Sequence, residues 1–153
     1  MAPLAFPPDL PYTPAMRGVT APTSRPRALR STVVVADDDP DYRYFVRFLL
    51  VPLADAVTIV GEASDGEETM ALVLRKRPDI LVADLLMPLL NGIELTRRLK
   101  QELPATKIVL MTAYTEDANR RLALIAGADA FLDKTALTTE LLPAIRDLVG
   151  SSR

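Results

Sequence analysis

The sequence predicts a doubly wound α/β domain, a five-stranded parallel sheet with helices on both faces. Two observations predict it. Short apolar runs alternate five times with longer segments of helical pattern between residues 31 and 150. The connections are short and carry turn and capping residues. Such alternation calls for a parallel sheet with right-handed crossovers.

The first strand spans 32–36, through Val33-Val34-Val35-Ala36. A helix over 40–51 follows, with Asp39 as N-cap, Pro40 at its first position and Pro52 ending it. The second strand covers 58–63, and Asp65-Gly66 reads as a turn pair before a helix over 66–76. The third strand is 79–84, built on Ile80-Leu81-Val82-Ala83. Asn91-Gly92 reads as a second turn pair, leading into a helix over 92–102. The fourth strand, 107–112, precedes a helix over 116–126 that Gly127 closes. The fifth strand is 130–133. The last helix is placed at 139–149. Pro143 fits only its first turn or so, which predicts a late start.

Composition narrows the chemistry. The chain has 153 residues, 49% of them hydrophobic, enough for one ordinary core. No apolar run reaches membrane-spanning length, so a cytoplasmic protein without membrane contact is expected. Cysteine and histidine are both absent. That excludes disulfides, Ser-His-Asp and Cys-His catalysis, and a phosphohistidine on this chain. Any metal site must use oxygen ligands, which favours magnesium, calcium or manganese over zinc. The net charge of −2 offers no general field for nucleic acid, and no direct nucleic-acid binding is expected.

The first 30 residues differ. They hold seven of the 13 prolines, and four arginines against one acid, Asp9. Residues 1–30 are expected to be a Pro-rich disordered extension, with the domain over 31–150. Prolines interrupt the apolar stretches and no basic segment precedes them, against a secretory signal. A start at Met16 is the plainest alternative. No internal repeat is visible, and no output domain follows residue 150, so a stand-alone domain is expected.

Five residues fall just after apolar runs: Asp37, Asp38, Asp84, Thr112 and Lys134. In a parallel sheet all strand C-termini share one edge, where ligands bind. Singly, each has an ordinary reading. An acidic run such as Asp37-Asp38-Asp39 is usually a solvated loop or cap. A lone strand-end Asp, Thr or Lys is blander still. Together they place carboxylates, a hydroxyl and an ammonium where a hard cation and a phosphoryl group can sit. A carboxylate there can attack phosphorus, and the cation and Lys134 offset the charge of the transferred group.

Certain stretches resemble a known family. Val-Val-Val-Ala-Asp-Asp-Asp-Pro at 33–40 and Asp-Leu-Leu-Met-Pro-Leu-Leu-Asn-Gly at 84–92 look like the receiver domain of bacterial two-component response regulators. So do Met111-Thr112-Ala113 and the segment from Ala126 to Lys134. The resemblance covers about residues 31–149. It implies a flavodoxin-like fold with strand order 2-1-3-4-5, phosphorylation of Asp84, and Mg2+ on Asp37, Asp38, Asp84 and the carbonyl of Leu86. It makes Thr112 the switch hydroxyl, Lys134 the charge-pairing lysine and Phe131 the switch aromatic. A sensor histidine kinase or phosphotransfer protein would be the donor, and a downstream protein the target. The chemistry would be autocatalytic, so enzyme status is a matter of definition.

Two departures stand out. The family often has Lys-Pro with a cis bond where this chain has Lys134-Thr135. A cis bond to threonine costs about 3–4 kcal/mol, which predicts different loop geometry here. Phe131 lacks the hydroxyl of the usual tyrosine. Leu86 and Tyr114, two residues after Asp84 and Thr112, would flank an attacking water and slow self-dephosphorylation.

The first helix carries two apolar stripes. Tyr42, Phe45, Val46, Leu49 and Leu50 form one; Tyr44, Phe48 and Val51 form another. A helix on a sheet buries only one. The second is either scattered surface apolarity or a dock for the phosphodonor, a second copy of the chain, or the Pro-rich segment. Two rival functions remain: a phosphorylation-independent adaptor of the same fold, and an aspartyl phosphatase, which lacks a second carboxylate near Asp84-Leu85-Leu86.

Overall fold

The computed structural model describes residues 29–151. Most of the expected N-terminal extension, residues 1–28, lies outside the described residues. Five strands, β1 (Ser31–Ala36), β2 (Val57–Ala63), β3 (Ile80–Asp84), β4 (Lys107–Thr112) and β5 (Ala130–Asp133), form one parallel sheet in the order β2-β1-β3-β4-β5. Helices α1 (Pro40–Leu50), α2 (Gly66–Lys76), α3 (Gly92–Glu102), α4 (Asp117–Ala126) and α5 (Leu137–Ser151) alternate with them.

Side chains on a strand point alternately to its two faces. Val33 and Val35 therefore enter one apolar layer, with Val46 and Leu50 of α1 and Leu137, Leu141 and Ile145 of α5. Val34 and Ala36 enter the other, with Leu72 and Val73 of α2, Leu95 and Leu99 of α3 and Ala123 of α4. The central strands are buried on both faces, so they read as unbroken apolar runs. On α1, Tyr42, Phe45 and Leu49 pack with the first layer, as their stripe predicts, while Phe48 and Val51 are exposed.

α2 and α3 begin at Gly66 and Gly92, where the sequence places them, with Asp65 and Asn91 as their N-caps. The Asp65 carboxylate accepts from Glu68 N at 2.7 Å, and Glu68 in turn accepts from Ser64 N at 2.8 Å. Asn91 Oδ1 accepts from Ile93 N and Glu94 N, both at 3.0 Å. These side chains satisfy helix-terminal N–H groups, and the glycines serve close packing. The last helix begins at Leu137, earlier than expected, and holds Pro143 inside it. Pro143 and Thr139, whose carbonyl loses its amide donor, are both exposed, so water can replace the missing bond.

The segment after β3 is held by α2. Gly66 N donates to Pro88 O at 3.0 Å, and Leu90 N closes a γ-turn to the same carbonyl at 2.8 Å. Leu89, at the centre of that turn, has φ 71°, a left-handed value uncommon for leucine. A Cβ on Gly66 would lie 1.9 Å from Leu90 O. Gly66→Ala is therefore expected to destabilise the fold by about 1–3 kcal/mol or more, read as a lowered urea midpoint. An unchanged midpoint would show that the 84–91 segment does not depend on this contact.

Candidate functional site

The C-terminal edge of the sheet brings the predicted residues together. Asp37 ends the run after β1, Asp84 is the last residue of β3, and Lys134 follows β5. Carboxylate oxygens of Asp37, Asp38 and Asp84 lie within 4.8 Å of one another. Asp37 is fully buried, Asp84 nearly so, and Asp38 is exposed. Lys134 Nζ stands 2.7 Å from Asp37 Oδ2 and 3.3 Å from Asp84 Oδ2. Asp37 Oδ2 is buried, and that ion pair is its one polar contact among the described residues.

Backbone amides orient the acids. Asp39 N donates to Asp37 Oδ1 at 2.9 Å, and Leu86 N donates to Asp84 Oδ1 at 3.3 Å. The Leu86 side chain itself is half exposed. Thr112 is fully buried at the end of β4, and its Oγ1 accepts from Tyr114 N at 2.9 Å. That leaves the hydroxyl proton free to donate elsewhere. Its neighbour Met111 pairs with Asp84 across the sheet, so the hydroxyl lies on the strand beside the carboxylate. Phe131 is buried in the layer beneath α4, with the Arg120 guanidinium 4.9 Å from its ring centroid.

The Lys134-Thr135 step has a simple solution. Among the described residues no peptide bond is cis. Lys134–Ala136 forms a 3-10 turn, and Asp133 Oδ1 accepts from Thr135 N at 2.8 Å and Thr135 Oγ1 at 2.7 Å. These bonds hold the Asp133 carboxyl below its ordinary pKa.

Electrostatics at the site follow from burial. Desolvation, then the charge of Asp37, pushes Asp84 up to about 6, with Lys134 acting the other way. Desolvation also raises Asp37 against the pull of Lys134. Burial works against the Lys134 ammonium, but its contacts with Asp37 and Asp84 outweigh this and hold its pKa above that of an ordinary lysine.

Two neighbours are not evident as site residues from the sequence. Arg43 Nη1 donates to the Asp37 carbonyl at 2.6 Å, and its Nε pairs with Glu62 of β2 at 3.2 Å. The Tyr42 ring centroid lies 4.0 Å from Lys134 Nζ. The available signal was the cap: with Asp39 as N-cap, residues 42 and 43 fall in the first turn, beside the acid loop.

Residues 33–146 match the response regulator receiver domain. The chain belongs to this family. Over 114 residues it is 37% identical to the uncharacterized transcriptional regulatory protein YxjL of Bacillus subtilis (74% of this chain, 52% of that protein). It is 32% identical to the response regulator protein VraR of Staphylococcus aureus over 114 residues (74% of this chain, 54% of that protein). The chain thus matches about half the length of these curated relatives. Among solved structures, it resembles the signal receiver domain of NarL from Mycobacterium tuberculosis (TM-score 0.73, 35% identity, 79% of this chain and 97% of that one). It also resembles a LuxR-family two-component response regulator from Aurantimonas sp. SI85-9A1 (TM-score 0.74, 31% identity, 81% and 88%). Receiver membership supports phosphoryl-accepting signalling, and receiver domains generally use Mg2+ at an acidic pocket of this kind. No helix among the described residues is long and apolar enough to cross a membrane.

The raised acids predict a pH signature in the metal-chelated receiver. A folded-state pKa near 6 against an ordinary 3.8 means the folded state binds the Asp84 proton more tightly. Its contribution to stability is full below pH 3.8 and is lost as pH rises through 6. Other carboxylates overlay this trend, so Asp84→Asn is the reference. Relative to Asp84→Asn, the wild type should lose stability between pH 4 and 6 in denaturant titrations. Parallel curves would place the Asp84 pKa at its ordinary value.

Proposed function

We propose that this receiver takes a phosphoryl group from a phosphohistidine donor onto Asp84 and signals to a protein partner by a conformational switch. The observation that carries the reading is the pair of buried carboxylates, Asp37 and Asp84, bridged by Lys134 beside exposed Asp38. With no histidine in the chain, the phosphohistidine belongs to a sensor kinase or phosphotransfer protein.

The donor set fits magnesium: three carboxylates, all oxygen, against a single ammonium that leaves two negative charges unmatched. Asp37, Asp38 and Asp84, with the Leu86 carbonyl, would hold the ion. When bound, it supplies positive charge for the phosphoryl oxygens. The chain's own groups do the rest. An Asp84 carboxylate oxygen attacks phosphorus as the bond from phosphorus to the donor nitrogen breaks, giving an aspartyl phosphate and a neutral donor imidazole once that nitrogen is protonated. Lys134 moves its charge from the Asp84 carboxylate to a phosphoryl oxygen. Thr112 donates its hydroxyl proton to another, while keeping the bond from Tyr114 N.

That shift at Thr112 pulls on the start of α4. Arg120 of α4 already packs over Phe131, which lies inward in this structure. We read α4, β5 and α5 as the two-state signalling surface. The exposure of Leu122, Leu124 and Ile125, the last at 81%, supports α4 as its contact face. Cytoplasmic residence and signalling without direct nucleic-acid contact by this domain belong to the same proposal. Exposed Phe48 supports a donor or self-contact on α1.

Acetyl phosphate labelling of the full chain tests the reading. Wild type should take up label only with magnesium, and Asp84→Asn should take up none. An adaptor gives no label, and a phosphatase gives steady release of inorganic phosphate. The wild-type label should decay slowly, and Leu86→Asn with Tyr114→Ala should speed its loss. Equal decay in both proteins removes the shielding role of Leu86 and Tyr114. Uptake in Asp84→Asn or after chelation contradicts the assignment of the acceptor.

A further inference from the structure

The ammonium of Lys134 has three N–H bonds, and the two buried carboxylates account for two contacts. A third neighbour is aromatic. Lys134 Nζ sits over the Tyr42 ring, 4.0 Å from its centroid, well inside the range of about 6 Å at which a cation is drawn to a π face. Lys134 carries a flexible four-carbon stem and follows a short strand, so its position depends on what surrounds the head group. We propose that Tyr42 is a positioning residue for Lys134, its ring holding the ammonium against the acceptor carboxylates. The proposal rests on the reading of Asp84 as acceptor and adds a residue to it.

The ring is well placed for this. Tyr42 lies in the first turn of α1 and packs against the apolar layer beneath that helix. The turn is tied to the acid loop at two points. Its N-cap is Asp39, whose N–H donates to Asp37 Oδ1, and Arg43 donates to the Asp37 carbonyl. The aromatic face is therefore tied to the Asp37 carboxylate that pairs with Lys134. On the outer side, Tyr42 and Lys134 share a groove of about 430 Å³ with Asp41, Tyr44 and Phe45. Without the ring, the lysine stem gains that groove as an alternative site.

A π face also suits the step itself. The ammonium must leave the Asp84 carboxylate and meet a phosphoryl oxygen. A hydrogen-bonding partner would fix one direction. An aromatic face attracts the charge without fixing the N–H vectors, so Lys134 can slide while staying held. A merely structural Tyr42 would fill the core beneath α1 and leave Lys134 unaffected.

Full-length wild type, Tyr42→Leu and Tyr42→Phe separate the two roles. The measurements are the rate of magnesium-dependent labelling by acetyl phosphate, thermal unfolding, and the Lys134 ε-methylene resonances. The aromatic ring should shift those resonances upfield of Lys76, Lys100 and Lys107 in wild type. Tyr42→Leu should abolish the shift and slow labelling roughly tenfold, a factor in keeping with a cation–π contact in a partly desolvated site. Tyr42→Phe should recover both. Labelling at the wild-type rate in a folded Tyr42→Leu overturns the proposal, as do unshifted Lys134 resonances in wild type. If Tyr42→Leu fails to fold, the wild-type and Tyr42→Phe resonances decide. A wild type that takes no label but shows the shift condemns Asp84 as acceptor and leaves the ring–ammonium contact standing.

Discussion

Two buried carboxylates share one half-buried ammonium at the C-terminal edge of the sheet. Lys134 Nζ reaches Asp37 at 2.7 Å and Asp84 at 3.3 Å. Two unit charges 4 Å apart interact by about 4 kcal/mol at an effective dielectric of about 20. That rivals a large share of the 5–15 kcal/mol by which a typical domain is stable. Carboxylates this close must therefore be met by a cation or take up a proton. Burial first, and the charge of Asp37 second, raise Asp84 to about 6. With Asp38 alongside, the ionised acids outnumber the lysine by two charges, the deficit that one divalent cation fills.

The fold holds such a cluster because its central strands are buried on both faces. β1 and β3 are adjacent in the sheet, so Asp37 and Asp84 emerge side by side. β5 lies at the far edge, beyond β4, yet Lys134 reaches back to both acids. The connections are locked by small contacts. Arg43 ties α1 to the Asp37 carbonyl and to Glu62, and Gly66 lets the start of α2 sit against the segment after Asp84. The signalling surface proposed for α4 needs the opposite quality, and the helix fits it. Its N-cap, Glu116, makes no side-chain capping bond, and its one buried apolar residue is Ala123.

The sequence made the architecture legible because each strand is a short apolar run followed by a polar strand end. Asp37, Asp38, Asp84, Thr112 and Lys134 follow directly from that periodicity and the rule that parallel strand ends share an edge. The Asp39-Pro40 cap and Gly127, with φ 110°, were equally readable. What escaped depended on three-dimensional neighbours. Asp65-Gly66 has the composition of a turn, and only the approach of Leu90 shows why glycine stands there. Pro143 argues locally for a late helix start, yet solvent exposure lets the helix run through it. Tyr42 follows the core stripe of α1, and nothing in its spacing reveals the lysine from β5 above its ring.

The central claim is chemical: Asp84 becomes the acyl phosphate. Borohydride reduces an acyl phosphate to an alcohol and leaves free carboxylates intact, so it marks the acceptor permanently. The full chain would be phosphorylated with acetyl phosphate and magnesium, reduced, digested and sequenced by mass spectrometry. The account predicts the alcohol at Asp84 alone, and none when magnesium is chelated. Reduction at Asp37, at Asp38 or at an acid remote from this edge would contradict it.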